Sequence, residues 1–190
     1  MAAVPLVGVV TGADGPSMHP NSTLLCQKYA TDYFRDGMRV LEIGPDGFPS
    51  TYRQLVAEKK LSWETLDLYR DDRLTYTALS EYAFPIADNS YDLVISGQVI
   101  EHVRKIWVWM KEVARVCRVG GIVITVNPVS WPYHEAPIDC WRAFPEGMRA
   151  LYEDSSLDVI LSEWGSLEAT GYRRRLPGLR SELRSAHPAY

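Results

Sequence analysis

The chain has 190 residues, 46% hydrophobic and 23% charged, which places it where one domain can bury most of its apolar surface without disulfide or metal staples. A formal net charge of −4 disfavours a nucleic-acid partner, and no apolar run reaches the roughly 18 residues of a membrane helix, so a soluble, cytoplasmic protein is expected. Cys26, Cys117 and Cys140 are odd in number and far apart, so neither a disulfide framework nor a zinc motif is expected, and the sequence requires no metal.

Residues 1–21 carry Gly8, Gly12, Gly15, Pro16 and Pro20, which predicts an irregular lead-in placed to act as a lid. A helix is expected to start after Asn21 or Ser22. Its stripe of Leu24, Leu25, Tyr29, Tyr33 and Phe34 runs up to Gly37. A buried strand over residues 39–43 is stopped by Gly44-Pro45-Asp46-Gly47. The alternation continues with a helix over 50–60, a strand over 62–68, a short element near 74–80 and a strand over 91–96. An apolar stripe over 99–118 reads as one long helix, terminated by Gly120-Gly121, with a strand over 122–126 behind it. Then comes a loop crowded with Trp131, Tyr133, His134, Asp139, Trp141 and Arg142. A short helix over 145–152 and a strand over 157–163 close the readable part. The tail over 165–190, with the basic run Arg173-Arg174-Arg175, carries no assignable pattern.

Strands that read as continuous apolar runs and alternate with helices predict an α/β fold of Rossmann-like type, a mostly parallel sheet with helices on both faces, over a single domain 1–190. Such a sheet holds ligands at the carboxyl ends of its strands. Gly44 follows the first strand directly, and Asp67 ends the next one about 20 residues on, a spacing that suits an acidic side chain on a ribose. Asp46 stands where a dinucleotide site needs a second glycine close to pyrophosphate. Its carboxylate would repel phosphate but accommodate the cationic sulfonium and ammonium of S-adenosyl-L-methionine. A nicotinamide-dependent oxidoreductase is the rival of the same architecture. Asp46 and the lack of a Tyr-x-x-x-Lys pair argue against it.

The runs Val40-Leu41-Glu42-Ile43-Gly44-Pro45-Asp46-Gly47, Phe84-Pro85-Ile86-Ala87-Asp88-Asn89-Ser90-Tyr91-Asp92-Leu93-Val94, Glu101-His102-Val103, Glu112-Val113-Ala114-Arg115-Val116 and Gly120-Gly121 occur in that order. Together they resemble the class I S-adenosylmethionine-dependent methyltransferases of the ubiquinone/menaquinone-type (methyltransferase type 11) group. The resemblance implies that Glu42 and Gly44, with Pro45, Asp46 and Gly47, meet the methionine end of the cofactor. It places Asp67 and Leu68 at the ribose, Glu81 and Tyr82 at the adenine, and Gln98 near the sulfonium. The family pattern has glycine where this chain has Asp46 and Phe48, so Gly47 supplies the turn one place out of register. Residues 133–142 are similar to a loop of those members that act on sugars or small metabolites. A small-molecule acceptor, methylated on oxygen with S-adenosyl-L-homocysteine as the other product, is the resulting expectation.

His134 and Asp139 lie in a loop beyond a strand's carboxyl end, where an acceptor would sit, and His102 follows another strand. A histidine there is suited to take a proton from a hydroxyl, so these three are the candidate catalytic residues. The plainer alternative is that His134, Asp139, Trp141 and Arg142 only hold the loop together. Trp107, Val108 and Trp109 read as core and flank of a helix. A methyltransferase-like subunit that has lost chemistry and needs a partner is the second reading of the whole chain, motivated by the altered glycine loop. A homodimer is compatible with the aromatic surface.

Overall fold

The computed structural model describes residues 19–134 and 137–167; residues 1–18 of the lid expected over 1–21 and the basic run Arg173-Arg174-Arg175 lie outside the described residues. Five strands form one parallel sheet: β1 (Arg39–Ile43), β2 (Ser62–Asp67), β3 (Tyr76–Thr77), β4 (Tyr91–Gly97) and β5 (Cys117–Val126), in the order β3-β2-β1-β4-β5. Helices α1 (Pro20–Tyr29) and α2 (Thr51–Leu55) belong to one face, and α3 (Ile106–Val116) and α4 (Pro145–Asp154) to the other. Alternation along β1 serves both faces: Val40 joins Leu93, Ile95, Cys26 and Tyr52, while Leu41 and Ile43 join Val94, Met110 and Val113. The strand order turns back between β1 and β4, so the crevice beyond their carboxyl ends is the place where such a sheet receives ligands.

Several boundaries differ from the sequence reading, each for a local reason. Helix α1 starts at Pro20, whose missing N–H suits a first helical position, under a cap in which His19 Nδ1 accepts from the Asn21 N–H at 3.3 Å. It ends at Tyr29, and residues Thr31–Tyr33 tighten into a 3₁₀ turn where the Thr31 hydroxyl donates to the Gln27 carbonyl. Helix α2 is one short turn and a half, and the expected extension to residue 60 is drawn off by the preceding turn: the Gly37 N–H donates to the Lys60 carbonyl and the Lys60 N–H to Asp36.

The single helix expected over 99–118 is instead a 3₁₀ turn, Ile100–His102, followed by α3 from Ile106. The loop after β5 captures the carbonyls that a continuous helix would use. The Cys140 N–H donates to the Glu101 carbonyl at 2.7 Å, and the Trp141 indole to that of Val103 at 2.8 Å. Gly120-Gly121 does not end a helix but sits inside β5, where Gly120 has φ +73° and the β4–β5 register shifts. A Cβ on Gly121 would stand 2.9 Å from the Asp92 carbonyl oxygen and 2.7 Å from Cys117 Sγ, so the bulge requires glycine there.

No strand forms over 157–163. Ser156, with φ +60°, turns the chain back so that the Leu157 N–H donates to Tyr152, and Ser162 Oγ donates to the Pro145 carbonyl. The segment therefore folds along α4 and does not pair with β5. Trp109 is buried, as expected, but Trp107 is 47% exposed and stands edge-on to Trp141, with ring centroids 6.2 Å apart.

Candidate active site

The carboxyl end of β1 carries Glu42, 1% exposed and held from two sides. Its Oε2 accepts from Ser50 Oγ at 2.5 Å and from the Trp63 indole at 2.9 Å, while Oε1 is buried without a hydrogen-bond partner. Burial pushes its pKa up to about 7 against the pull of the Ser50 and Trp63 hydrogen bonds, and nearby Asp46 adds to the rise. Ser50 also caps α2, accepting from the Arg53 N–H, so the start of the helix and the position of the Glu42 carboxylate are one arrangement. Side chains, not backbone amides, satisfy Glu42, and on one oxygen only.

Gly44 has φ +71°, and a Cβ there would lie 2.3 Å from Val99 Cγ2. The ends of β1 and β4 therefore close on each other through a glycine that no other residue replaces without strain. Gly97, at the end of β4, lies against Tyr52, whose hydroxyl is also buried without a partner. Two unpartnered buried polar groups thus flank the crevice at the strand reversal.

Asp46 is occupied within its own loop. Its carboxylate accepts from the Thr51 N–H at 2.8 Å and from Thr51 Oγ1 at 2.5 Å, which ties the loop of Pro45 and Gly47 to the start of α2. Asp67 is half-buried at the end of β2, accepts from the Tyr69 N–H at 3.0 Å, and is followed by the exposed Leu68. Glu81 and Tyr82 face each other at 2.6 Å and are fixed by the segment before α3: Arg104 pairs with Glu81, and the Lys105 N–H donates to the Tyr82 hydroxyl at 3.2 Å. Gln98 takes φ +57° directly after β4 and its amide donates to Ser22 Oγ of α1 at 2.9 Å.

A second group lies across β4. A groove of about 1520 Å³ runs along β5 between α1 and residues 155–167, and it reaches Gln98, Glu101, His102 and His134. It does not extend to Glu42, Gly44 or Asp67. Gln98 is the residue at which the two halves of the expected site meet. His102 and His134 stand edge-on with ring centroids 5.1 Å apart, and His102 Nδ1 is engaged by the Ile138 carbonyl. Asp139 has a side chain 2% exposed; Arg142 binds both its oxygens, at 2.5 and 2.6 Å, and holds its pKa well below the usual carboxylate range. Asp139 also accepts from the His134 N–H at 2.8 Å, and His134 Nδ1 lies 3.3 Å from the same carboxylate. Asp139 is thus engaged within its own loop by Arg142 and the His134 N–H, while His134 lines the groove.

Glu101 is the residue the sequence reading passed over. It is 1% exposed, neither carboxylate oxygen has a hydrogen-bond partner in another residue, and burial pushes its pKa up to about 7 against its own backbone N–H and, more weakly, Arg142. The available signal was an acid within the otherwise apolar run Val99-Ile100-Glu101-His102-Val103 at the end of a buried strand. The ligand-capable atoms of Glu101, His102 and His134 lie within 4.8 Å of one another.

Comparison with known proteins bears on the fold and the family resemblance. Residues 50–125 match a family model described as a methyltransferase domain. A stretch of 55 residues is 46% identical to an uncharacterized methyltransferase of Mycobacteroides abscessus, covering 29% of this chain and 21% of that protein, so the match spans about a fifth of the relative's length. Among solved structures, the methyltransferase in a Haloferax volcanii complex with the Trm112 methyltransferase activator superposes with a TM-score of 0.54 at 20% identity, over 70% of this chain and 67% of that one. A SAM-dependent methyltransferase from Aquifex aeolicus gives 0.51 at 14% identity over 71% and 78%. The [4+2]-cyclase SpnF gives 0.55 at 14% identity over 75% and 61%, so the fold also hosts other chemistry. No described helix is long and apolar enough to cross a membrane. Taken with the strand order, these matches show that residues 50–125 resemble a methyltransferase domain and that the described fold is the one found in S-adenosylmethionine-dependent methyltransferases.

Proposed function

We propose that the chain transfers the methyl group of S-adenosyl-L-methionine to an oxygen of a small, sugar-like or secondary-metabolite acceptor, releasing S-adenosyl-L-homocysteine. The observation that carries the cofactor half is Glu42, a buried carboxylate with one oxygen lacking a donor at the end of β1, beside a glycine turn that leaves room for nothing larger. An ammonium and sulfonium cation supplies the missing partner where a pyrophosphate would meet repulsion. Asp67 receives the ribose hydroxyls, Glu81 and Tyr82 border the adenine, and Gln98 stands near the sulfonium.

The donor supplies an electrophilic methyl, which the acceptor oxygen attacks in line while the sulfur keeps the C–S electron pair. The groove of about 1520 Å³ admits the acceptor. In the metal-free protein His134 takes the hydroxyl proton, with His102 beside it and Asp139 keeping the loop in place through Arg142 and the His134 N–H. The remaining contribution is alignment and exclusion of water.

Calorimetric titration with S-adenosyl-L-methionine and S-adenosyl-L-homocysteine, with NADH as control, tests the reading. Micromolar binding that weakens at least ~10-fold in Asp67→Ala supports it. Absence of binding to both sulfur compounds by the folded chain overturns the stand-alone enzyme. A specific observation favours one alternative, a partner-dependent protein: a structural neighbour was solved together with an activator. Cofactor binding that appears only with a partner present would favour that reading.

A further inference from the structure

We infer that Glu101, His102 and His134 form a seat for one divalent transition-metal cation at the acceptor side of the domain. Two independent features point there. The first is geometric: one ligand atom from each residue lies within 4.8 Å of the other two. Metal bonds of about 2.1 Å set neighbouring ligands about 3–3.5 Å apart, so a cation closes the widest separation in the cluster by up to about 1.5 Å. The second is the state of Glu101. Its carboxylate is 1% exposed, with neither oxygen hydrogen-bonded to another residue, an arrangement that a bound cation would complete.

The supporting shell is already built. His102 Nδ1 is engaged by the Ile138 carbonyl, which leaves Nε2 toward Glu101, 3.9 Å from Oε1. His134 is oriented through its Nδ1 side and backbone by Asp139, 3.3 and 2.8 Å away. A carbonyl behind one histidine and a carboxylate behind the other is the outer-shell pattern that fixes metal-binding imidazoles. Arg142 would repel a cation, but its charge is taken up by both oxygens of Asp139. Two imidazoles and one carboxylate select zinc, manganese, iron(II), cobalt or nickel over calcium and magnesium, and leave coordination positions open toward the groove. His102 and His134 line that groove together with Glu101.

The inference rests on the acceptor-site reading above and refines it. With the cation seated, the histidines act as ligands, and an acceptor hydroxyl takes an open position. The cation lowers its pKa, and the released proton passes to solvent through the groove. The probe is zinc alone: calorimetric titration of the chelator-stripped full chain, repeated with cobalt(II) to read the visible absorption of a coordinated ion. One equivalent is expected to bind. Glu101→Gln and His134→Ala should each weaken binding more than ~10-fold, and Cys140→Ser, which alters the exposed thiol, should leave it unchanged. His134→Ala, in a loop, carries the test if Glu101→Gln fails to fold. Binding that survives either substitution, or no binding by folded protein, overturns the seat. Titration with S-adenosyl-L-methionine in the same preparations separates the two readings: cofactor binding without zinc sinks only this one, and zinc without cofactor sinks only the methyl-donor reading.

Discussion

Glu42 shows how one residue ties stability to pH. Its folded pKa of about 7 lies above the ordinary 4.5, so between those values the folded state keeps a proton that the unfolded chain has lost. Stability is therefore greatest below pH 4.5 for this group and declines as pH rises toward 7, by at most about 3 kcal/mol. Urea unfolding at pH 5 and pH 8 should show that decline in the native protein together with a comparable one from Glu101, whose pKa is also about 7, and Glu42→Gln should remove about half of the total. Gly44→Ala should destabilise by about 1–3 kcal/mol, since it combines a positive φ with a Cβ at 2.3 Å from Val99. Adding Val99→Ala relieves the clash but not the backbone strain, so only part of that loss should return in a double-mutant cycle. Residue-level reading from the sequence singles out Glu42, Gly44 and Asp67 because a strand end followed by glycine is a local pattern. It passed over Glu101 because burial without partners is a property of packing, which a loop 30-odd residues away completes.

At the scale of elements, the strands were legible and the helix ends were not. Continuous apolar runs such as Leu93-Val94-Ile95 allow few alternatives, whereas the 99–118 stripe has helical periodicity throughout yet is interrupted where Cys140 and Trp141 take the carbonyls of Glu101 and Val103. Those partners are distant in sequence, so periodicity gives no warning of them. Gly120-Gly121 was read as a helix terminator for the same reason: its role depends on Asp92 of the neighbouring strand. Helix α3 anchors its face through Met110 and Val113, both fully buried. Met110→Ala should cost about 2–5 kcal/mol in chemical denaturation, while Val119→Thr, at a position 90% exposed, should stay within about 0.5 kcal/mol.

At the scale of the whole molecule, the two halves of the site rest on opposite sides of β4, with Gln98 between them. The Gln98 amide reaches Ser22 on α1, so the first helix is fastened to the point where donor and acceptor would meet. Ser22→Ala leaves that amide without its partner in a buried setting and is expected to loosen α1. Hydrogen exchange of α1 amides should then quicken at least ~5-fold, corresponding to about 1 kcal/mol, while β1 and β4 stay protected. The fold class was readable because alternation of strand and helix is a global pattern. The groove was not, because it follows from residues 157–167 turning back along α4 and leaving the flank of β5 open among the described residues.

The parallel arrangement also bears on how the chain is made. Arg39 at the start of β1 donates its N–H to Asp92 across 53 residues of chain, and no nearer segment offers β1 a partner on that side. During synthesis β1 and β2 can associate early, but the central strand β1 keeps a bare, hydrogen-bonding flank until β4 has emerged. Contacts of such long sequence separation slow folding and lengthen the interval in which nascent chains can adhere to one another. The centre of the sheet, the most secure part of the finished molecule, is thus its most vulnerable part while it is being born.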